Sequence, residues 1–151
     1  MTPVGAGHAH DITPVSIIGV GCSPFSEHWD RSAEDLLAEA VLEAYADAGI
    51  AEPRRQIDAV FAGSLYAPMG PVHVSETLHL PAPVTMVYNY CATGTEALRV
   101  AVMAVASGMH DTVLAVGFDK PKDRGVAGPS VNIRGVRDLP ETPAGWFAQC
   151  A

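Results

Sequence analysis

One cysteine lies where a predicted strand gives way to a predicted helix. Residues 84–90 are rich in β-branched and aromatic side chains, which favour extended structure. Residues 97–106 are rich in Ala, Val and Leu, and Gly108 follows them as a helix stop signal. Cys91 is therefore predicted at or near a helix N-terminus, where unpaired N–H groups and the positive end of the helix dipole favour a thiolate. Because the thiolate is the reactive form of cysteine, this position indicates a nucleophile.

The segments around this cysteine alternate between strand and helix. Besides the strand before Cys91, short apolar strands are predicted over residues 15–20, 57–65 and 112–118. The clearest helix is predicted over residues 32–48, with Ser32 as its N-cap and Asp35 in a shorter relative of the capping box. Such alternation is typical of an α/β layer structure with a largely parallel sheet.

The helix that follows Cys91 is predicted over residues 95–107 and is apolar almost all round. Only Glu96 and Arg99 interrupt the apolar run, and a helix of this kind is buried on several sides. We therefore expect a layered, mostly parallel sheet with a buried central helix that carries Cys91 at its start. Glu96 and Arg99 lie one turn apart, so they either pair locally or meet a partner subunit.

The ends of the chain differ in composition from its middle. Residues 1–14 are rich in Gly, Ala and His and are predicted to be a flexible N-terminal tail. Residues 15–120 are predicted to form one α/β domain. Residues 121–151 are rich in Gly, Pro and charge without a clear period, and so long a structureless stretch is unusual in a compact domain. We expect this stretch to be the start of a loop or insert region, cut within a larger domain.

Composition excludes several classes of function. A net charge of −8 disfavours nucleic acid, whose phosphates require a basic face. No apolar run reaches the length of a membrane span. The three cysteines, Cys22, Cys91 and Cys150, are far apart and not in CxxC spacing, so neither a disulfide framework nor a metal site is predicted. A reducing cytoplasm is the simplest compartment for such a chain.

Two motifs of the chain are distinctive: Asn-Tyr-Cys-Ala-Thr-Gly at residues 89–94 and Gly-Phe-Asp-Lys at residues 117–120. They resemble the thiolase superfamily, most closely its sterol-carrier-protein-type members, which are also named acetyl-CoA acetyltransferases. In that family an Asn-x-Cys-Ala-x-Gly segment opens a buried helix, and the following strand ends in a Gly-Phe-(Glu/Asp)-Lys stretch. The likeness continues in the right order from about residue 15 to residue 120, so it does not depend on one motif.

The resemblance implies a role for two residues of the first motif. Cys91 would be the acyl-accepting nucleophile, and its backbone N–H would help to form an oxyanion hole. Gly94 would belong to the substrate-binding first turn of the helix, where a side chain would crowd close packing. The implied substrates are acyl-CoA thioesters, either for condensation or for cleavage of 3-ketoacyl-CoA, with no separate cofactor. The resemblance also implies a homo-oligomer or an assembly with a longer thiolase-like chain, because family members form dimers across this half.

The sequence departs from the family in its length and in the motifs that it lacks. Family members are more than twice as long and carry a second half with an activating His and a second acid/base residue. No Gly-His-Pro, Asn-Glu-x-Phe or Cys-x-Gly motif of that kind occurs here. We therefore expect weak or no turnover from this chain alone. The alternatives are a non-catalytic scaffold or split subunit, a retro-aldolase on steroid side-chain CoA esters with a small zinc-ribbon/OB-fold partner, and an acyl-carrier-linked ketosynthase relative.

Overall fold

A computed structural model describes residues 13–65 and 70–124 of the chain. Its elements in chain order are α1 (Ala33–Ala48), α2 (Pro53–Gln56), β1 (Ala59–Gly63), α3 (Pro71–Leu78), β2 (Val84–Val87), α4 (Thr93–Ala106) and β3 (Val113–Gly117), followed by a 3-10 turn over Pro121–Arg124. None of the helices in these two ranges combines the length and the hydrophobicity that a membrane crossing requires. The predicted tail up to residue 12, the predicted insert region from residue 125 onward and Cys150 lie outside the described residues.

The three described strands form one parallel sheet in the order β2-β1-β3. Gly63 at the end of β1 pairs with Val87 at the end of β2 and with Gly117 at the end of β3. The carboxyl ends of all three strands therefore lie at the same edge of the sheet, and the parallel α/β architecture is confirmed.

Helices cover both faces of this sheet. One face packs against α1 and α3, and the side chains buried there include Leu37, Val41, Val60, Ala62, Val74, Leu114 and Val116. The other face packs against α4, and the side chains buried there are Ala59, Phe61, Ala101 and Ala104. Neighbouring residues of β1 alternate between the two cores, as expected for a strand that is covered on both sides.

The start of α1 follows the sequence prediction. The Asp35 N–H donates to the Ser32 hydroxyl at 3.1 Å, and the Ser32 N–H donates to the Asp35 carboxylate at 2.8 Å. This reciprocal pair is a complete capping box. The helix ends at Gly49, whose φ of 68° is a left-handed conformation that glycine adopts without strain.

Residues 15–20 do not form the predicted strand. The N–H groups of Val20 and Cys22 donate to the carboxylates of Asp47 at 2.9 Å and Glu43 at 2.8 Å, both on α1. An apolar groove of about 540 Å³ is lined by residues 14–21 together with parts of α1, α4 and β3. The segment is apolar, as a strand would be, but a strand also needs a neighbouring strand. None of the described strands pairs with this segment.

Helix α4 is central, but it is not buried on several sides as predicted. It contacts all three strands, and its buried residues are Thr93, Ala97, Ala101 and Ala104. Within the described part of the chain, Leu98 is 42% exposed, Val102 39% and Met103 55%. The buried stripe consists of small side chains, which bring the helix axis close to the sheet and leave the larger apolar residues outside. Hydrophobic content alone did not reveal which side of the helix faces the sheet.

Asp58 holds the loop before β3 against the start of β1, and this bracing should depend on pH. Its carboxylate accepts from the N–H groups of Asp111 at 2.8 Å and Thr112 at 2.9 Å. The hydrogen bonds from Thr112 and Asp111 hold the pKa of Asp58 below its ordinary value of 3.8, and the bond from Thr112 has the larger effect. A lowered folded pKa stabilises the fold above the unfolded pKa, and that stabilisation is lost as the pH falls through the folded pKa.

We therefore expect the isosteric Asp58→Asn variant to lower the free energy of unfolding at neutral pH by about 1 kcal/mol, since the charged bonds are solvent-exposed. Urea denaturation of both proteins at neutral pH and at an acid pH below the folded pKa measures this difference. The gap between them should close in acid, because the protonated carboxyl resembles the amide. An equal difference in the free energy of unfolding at both pH values would contradict the stabilising role of the ionised Asp58 carboxylate.

Candidate functional site

Cys91 lies in the connection between β2 and α4, at the carboxyl edge of the sheet. β2 ends at Val87, Ala92 is the N-cap of α4, and the helix begins at Thr93. The Cys91 thiol is free and the residue is exposed. The structure thus confirms the predicted position of Cys91 at a helix N-terminus and shows that a reagent in solvent can reach it.

The residues before Cys91 form a tight, hydrogen-bonded turn. The Ala92 N–H donates to the Asn89 carbonyl at 2.9 Å, and the Thr93 N–H donates to the Tyr90 carbonyl at 3.1 Å. Tyr90 has a φ of 47°, a left-handed conformation that is uncommon for residues other than glycine. The chain therefore reverses sharply beside Cys91, and the strained residue is its immediate neighbour.

Two glycines bring the strand ends close to the first turn of α4. Gly63 and Gly117 are neighbours in the sheet register, and both lie on the face that α4 covers. A Cβ atom on Gly63 would lie 2.5 Å from the Thr93 methyl carbon Cγ2, and one on Gly117 would lie 3.3 Å from the Gly94 Cα. Each glycine lies near the end of a predicted apolar strand, and Gly117 also opens the Gly-Phe-Asp-Lys motif. A glycine near a strand end is the signal that could have indicated this close approach.

Within the described part of the chain, no neighbouring element crowds the side-chain position of Gly94. Apart from its chain neighbours and the backbone of α4, no described heavy atom lies within 4 Å of a Cβ position built on Gly94, and the residue is exposed. The close approach between helix and sheet is made by the glycines of the strands instead. Gly94 still lies in the first turn of α4, three residues from Cys91, so its predicted place in substrate binding stays a prediction.

Asp119 ties together the loops that follow β1 and β3. Its carboxylate accepts from the Ser64 hydroxyl at 2.9 Å and from the Leu65 N–H at 2.8 Å. The Phe118 N–H also donates to the Gly63 carbonyl at 3.1 Å. These bonds brace the carboxyl edge of the sheet, the same edge at which β2 leads to Cys91.

Two tyrosines lie beside the cysteine. The ring centroids of Tyr88 and Tyr90 are 5.5 Å apart, with the ring planes at 54°. Partial desolvation of the Tyr88 phenol raises its pKa, and the neighbouring Tyr90 hydroxyl and Cys91 sulfur raise it further. Both tyrosines are 59% exposed, so they offer aromatic surface to a ligand that reaches Cys91.

The charged residues of α4 pair with each other. Arg99 contacts both carboxylate oxygens of Glu96, at 2.9 Å and 2.5 Å. The hydrogen bond from Arg99 lowers the pKa of Glu96, and a smaller contribution comes from the Asn89 side chain. The local pair, one of the two alternatives that the sequence left open, is formed. Within residues 13–65 and 70–124, no group of three or more His, Cys, Asp or Glu side chains is arranged to hold a metal ion.

Comparisons with known proteins agree with this fold. A protein-family model described as stage V sporulation protein AD (SpoVAD) matches residues 22–119. The acetyl-CoA acetyltransferase of Methanothermobacter thermautotrophicus is 40% identical over 116 residues, which cover 72% of this chain and 30% of that protein. Sterol carrier protein 2 of Gallus gallus is 35% identical over 111 residues, which cover 70% of this chain and 20% of that protein. The chain thus spans less than a third of the length of these relatives.

One solved structure is similar over most of the chain. The Ltp2-ChsH2(DUF35) aldolase superposes with a TM-score of 0.60 and 28% sequence identity, covering 88% of this chain and 35% of that one. The α/β fold described above is therefore shared with an experimentally determined protein that is considerably longer.

Proposed function

Because the chain belongs to the SpoVAD family and to the thiolase superfamily of acyltransferases, we propose that Cys91 accepts an acyl group from an acyl-CoA thioester. The observation that carries the proposal is the exposed free thiol of Cys91 at the N-terminus of α4. A nucleophile on a sharp turn, at the carboxyl edge of a parallel sheet and open to solvent, is reachable by the thioester of a large substrate.

In the first step the Cys91 thiolate attacks the thioester carbonyl carbon and forms a tetrahedral oxyanion. The backbone N–H of Cys91 and the first turn of α4 at Gly94 supply the stabilisation for this charge in our proposal. Collapse of the intermediate breaks the bond between the carbonyl carbon and the CoA sulfur. CoA leaves as a thiolate and takes up a proton, and the acyl group stays on Cys91.

In the second step the α-carbon of another acyl-CoA, once deprotonated, attacks the acyl-Cys91 carbonyl. The new carbon–carbon bond gives 3-ketoacyl-CoA, and the Cys91 sulfur leaves as the thiolate with which the cycle began. Run in reverse, the same steps cleave 3-ketoacyl-CoA. The base for the α-carbon belongs to the second half that full-length family members carry.

The proposed setting of this activity is a homo-oligomer in the cytoplasm. Free Cys22 and Cys91 suit a reducing compartment. β2 has β1 as its only neighbour among the described strands, which leaves one edge of β2 to pair with a second chain.

A second candidate is carbon–carbon bond cleavage by a retro-aldol reaction on a CoA ester. The similarity to the Ltp2-ChsH2(DUF35) aldolase favours it, and it would require a DUF35-type partner, as the name of that structure pairs Ltp2 with ChsH2. Such a reaction forms no acyl-cysteine. The chemical state of Cys91 after exposure to substrate therefore distinguishes the two candidates.

Alkylation by iodoacetamide tests the proposal, with Cys22 as an internal reference because it is also exposed and free. At neutral pH Cys91 should be labelled faster than Cys22 by about tenfold, as expected for a thiol at a helix N-terminus. Acetyl-CoA should protect Cys91, hydroxylamine should restore its labelling by removing the acyl group, and CoA alone should protect less.

Equal labelling of the two cysteines without protection by acetyl-CoA would end the proposal for this chain. Protection by an acyl-carrier thioester but not by acetyl-CoA would favour the ketosynthase relative. Protection that is insensitive to hydroxylamine would show ligand binding without acyl transfer, as a scaffold or aldolase subunit would give.

A further inference from the structure

We infer that Thr93 is a positioning residue for Cys91, and that its hydroxyl fixes the turn that presents the thiol. The inference rests on the nucleophilic role proposed for Cys91. Thr93 is only 5% exposed and is the one buried polar residue in the described part of the chain. A buried polar side chain must find partners within the protein, and those of Thr93 lie in the segment that leads to Cys91.

The Thr93 hydroxyl uses both its acceptor and its donor capacity in this segment. Its Oγ1 accepts from the Asn89 N–H at 2.9 Å and donates to the Tyr90 carbonyl at 2.6 Å. A bond from threonine to the carbonyl three residues earlier is common at helix starts. The bond from Asn89 is additional, and it links the helix to the residue two positions before Cys91.

These bonds hold a conformation that the chain would not keep by itself. The left-handed φ of 47° at Tyr90 is unfavourable for a residue with a side chain. The Tyr90 carbonyl receives two hydrogen bonds, one from the Thr93 N–H and one from its hydroxyl. Loss of the hydroxyl would release the Asn89 N–H and weaken the hold on Tyr90, so Cys91 would sample other positions.

The methyl group of Thr93 packs against the sheet. Its Cγ2 occupies the space above Gly63 that a Cβ atom on that residue would fill, at a distance of 2.5 Å. With the methyl against the sheet, the hydroxyl points into the turn. The same side chain therefore joins Gly63 of the sheet to the backbone that carries the nucleophile.

The test compares the ratio of Cys91 to Cys22 alkylation rates in four proteins: the unaltered chain, Thr93→Val, Thr93→Ser and Thr95→Val. Thr93→Val keeps the shape but removes the hydroxyl, and it should lower the ratio about tenfold. Thr93→Ser keeps the hydroxyl and should stay within about twofold of the unaltered chain. Thr95→Val makes the same change at an exposed site in the same turn of α4 and should leave the ratio unchanged.

An unchanged ratio in Thr93→Val would overturn the inference, as would an equal loss in Thr93→Ser or in Thr95→Val. Hydrogen exchange at the Asn89 amide of the unaltered chain is the second measurement. If Thr93→Val does not fold, this measurement tests whether the Asn89 N–H is held by the Thr93 hydroxyl. Slow exchange supports the bond to Thr93, whereas exchange as fast as that of an exposed loop amide contradicts it. Failure of the proposed function is seen separately, as absent protection by acetyl-CoA in the unaltered chain.

Discussion

The Cys91→Ala variant should lose transfer of an acyl group from acyl-CoA to the protein by at least about 10³-fold. Alanine has no atom that can form the thioester, and Cys22 lies in another part of the fold, near α1. Intact-mass measurement of the acylated fraction over time, with release by hydroxylamine, gives the rate without requiring turnover. Because Cys91 is exposed, the free energy of unfolding should change by no more than about 0.5 kcal/mol.

The matched control is Cys22→Ala, which removes the other described free thiol. It should be acylated at the rate of the unaltered chain. Acylation of Cys91→Ala at the unaltered rate would place the nucleophile elsewhere. If the protein acts on a CoA ester with a DUF35-type partner and keeps that activity in Cys91→Ala, the aldolase becomes the better interpretation.

Features set by neighbouring residues could be predicted from the sequence. The capping box of α1 needs only Ser32 and Asp35, three positions apart, and both of its bonds are formed. The position of Cys91 follows from a strand-forming segment directly before it and a helix-forming segment directly after it. The alternation of these segments was also sufficient to predict a parallel sheet with helices on its faces.

Features set by distant residues could not be predicted. The segment at residues 15–20 has strand composition, but whether a strand forms depends on a neighbour elsewhere in the chain. The burial of α4 depends on which of its sides meets the sheet, and the stripe that does so, which includes Ala97, Ala101 and Ala104, is not the most hydrophobic one. In both cases the local sequence pattern is present, but the resulting structure depends on contacts with residues far away in the chain.

The surroundings of Gly94 also depend on distant residues. A glycine in a first helical turn suggests close approach, but the surface that approaches belongs to strands elsewhere in the sequence. The structure places Gly63 and Gly117 on that surface, beneath Thr93 and Gly94. The site therefore has two parts. The turn that carries Cys91 can be predicted from the local sequence, whereas the contact surface at the strand ends forms only when distant strands pair in the fold.

Adding one methyl group at this junction, in Gly63→Ala, should lower the free energy of unfolding by about 2 kcal/mol, because the new Cβ overlaps a packed interior. The contacts would be 2.5 Å to the Thr93 methyl carbon and 3.1 Å to the Thr93 carbonyl oxygen, so the helix start must move or the strand must bend. Since Thr93 also holds the turn before Cys91, the ratio of Cys91 to Cys22 alkylation should fall as well. Urea denaturation and the alkylation assay measure the two effects.

Gly94→Ala is the matched substitution for stability, since the same methyl group there would meet no described heavy atom within 4 Å apart from its chain neighbours and the backbone of α4. It should leave the free energy of unfolding unchanged or raise it by up to about 1 kcal/mol, because alanine favours a helix over glycine. If Gly94→Ala were the more damaging of the two, the packing implied by the family resemblance would be right and the strand-end surface would be wrong. If Gly63→Ala destabilises the fold while Gly94→Ala does not, the glycines of the sheet determine how closely the start of α4 approaches the sheet. They then also determine the position of Cys91.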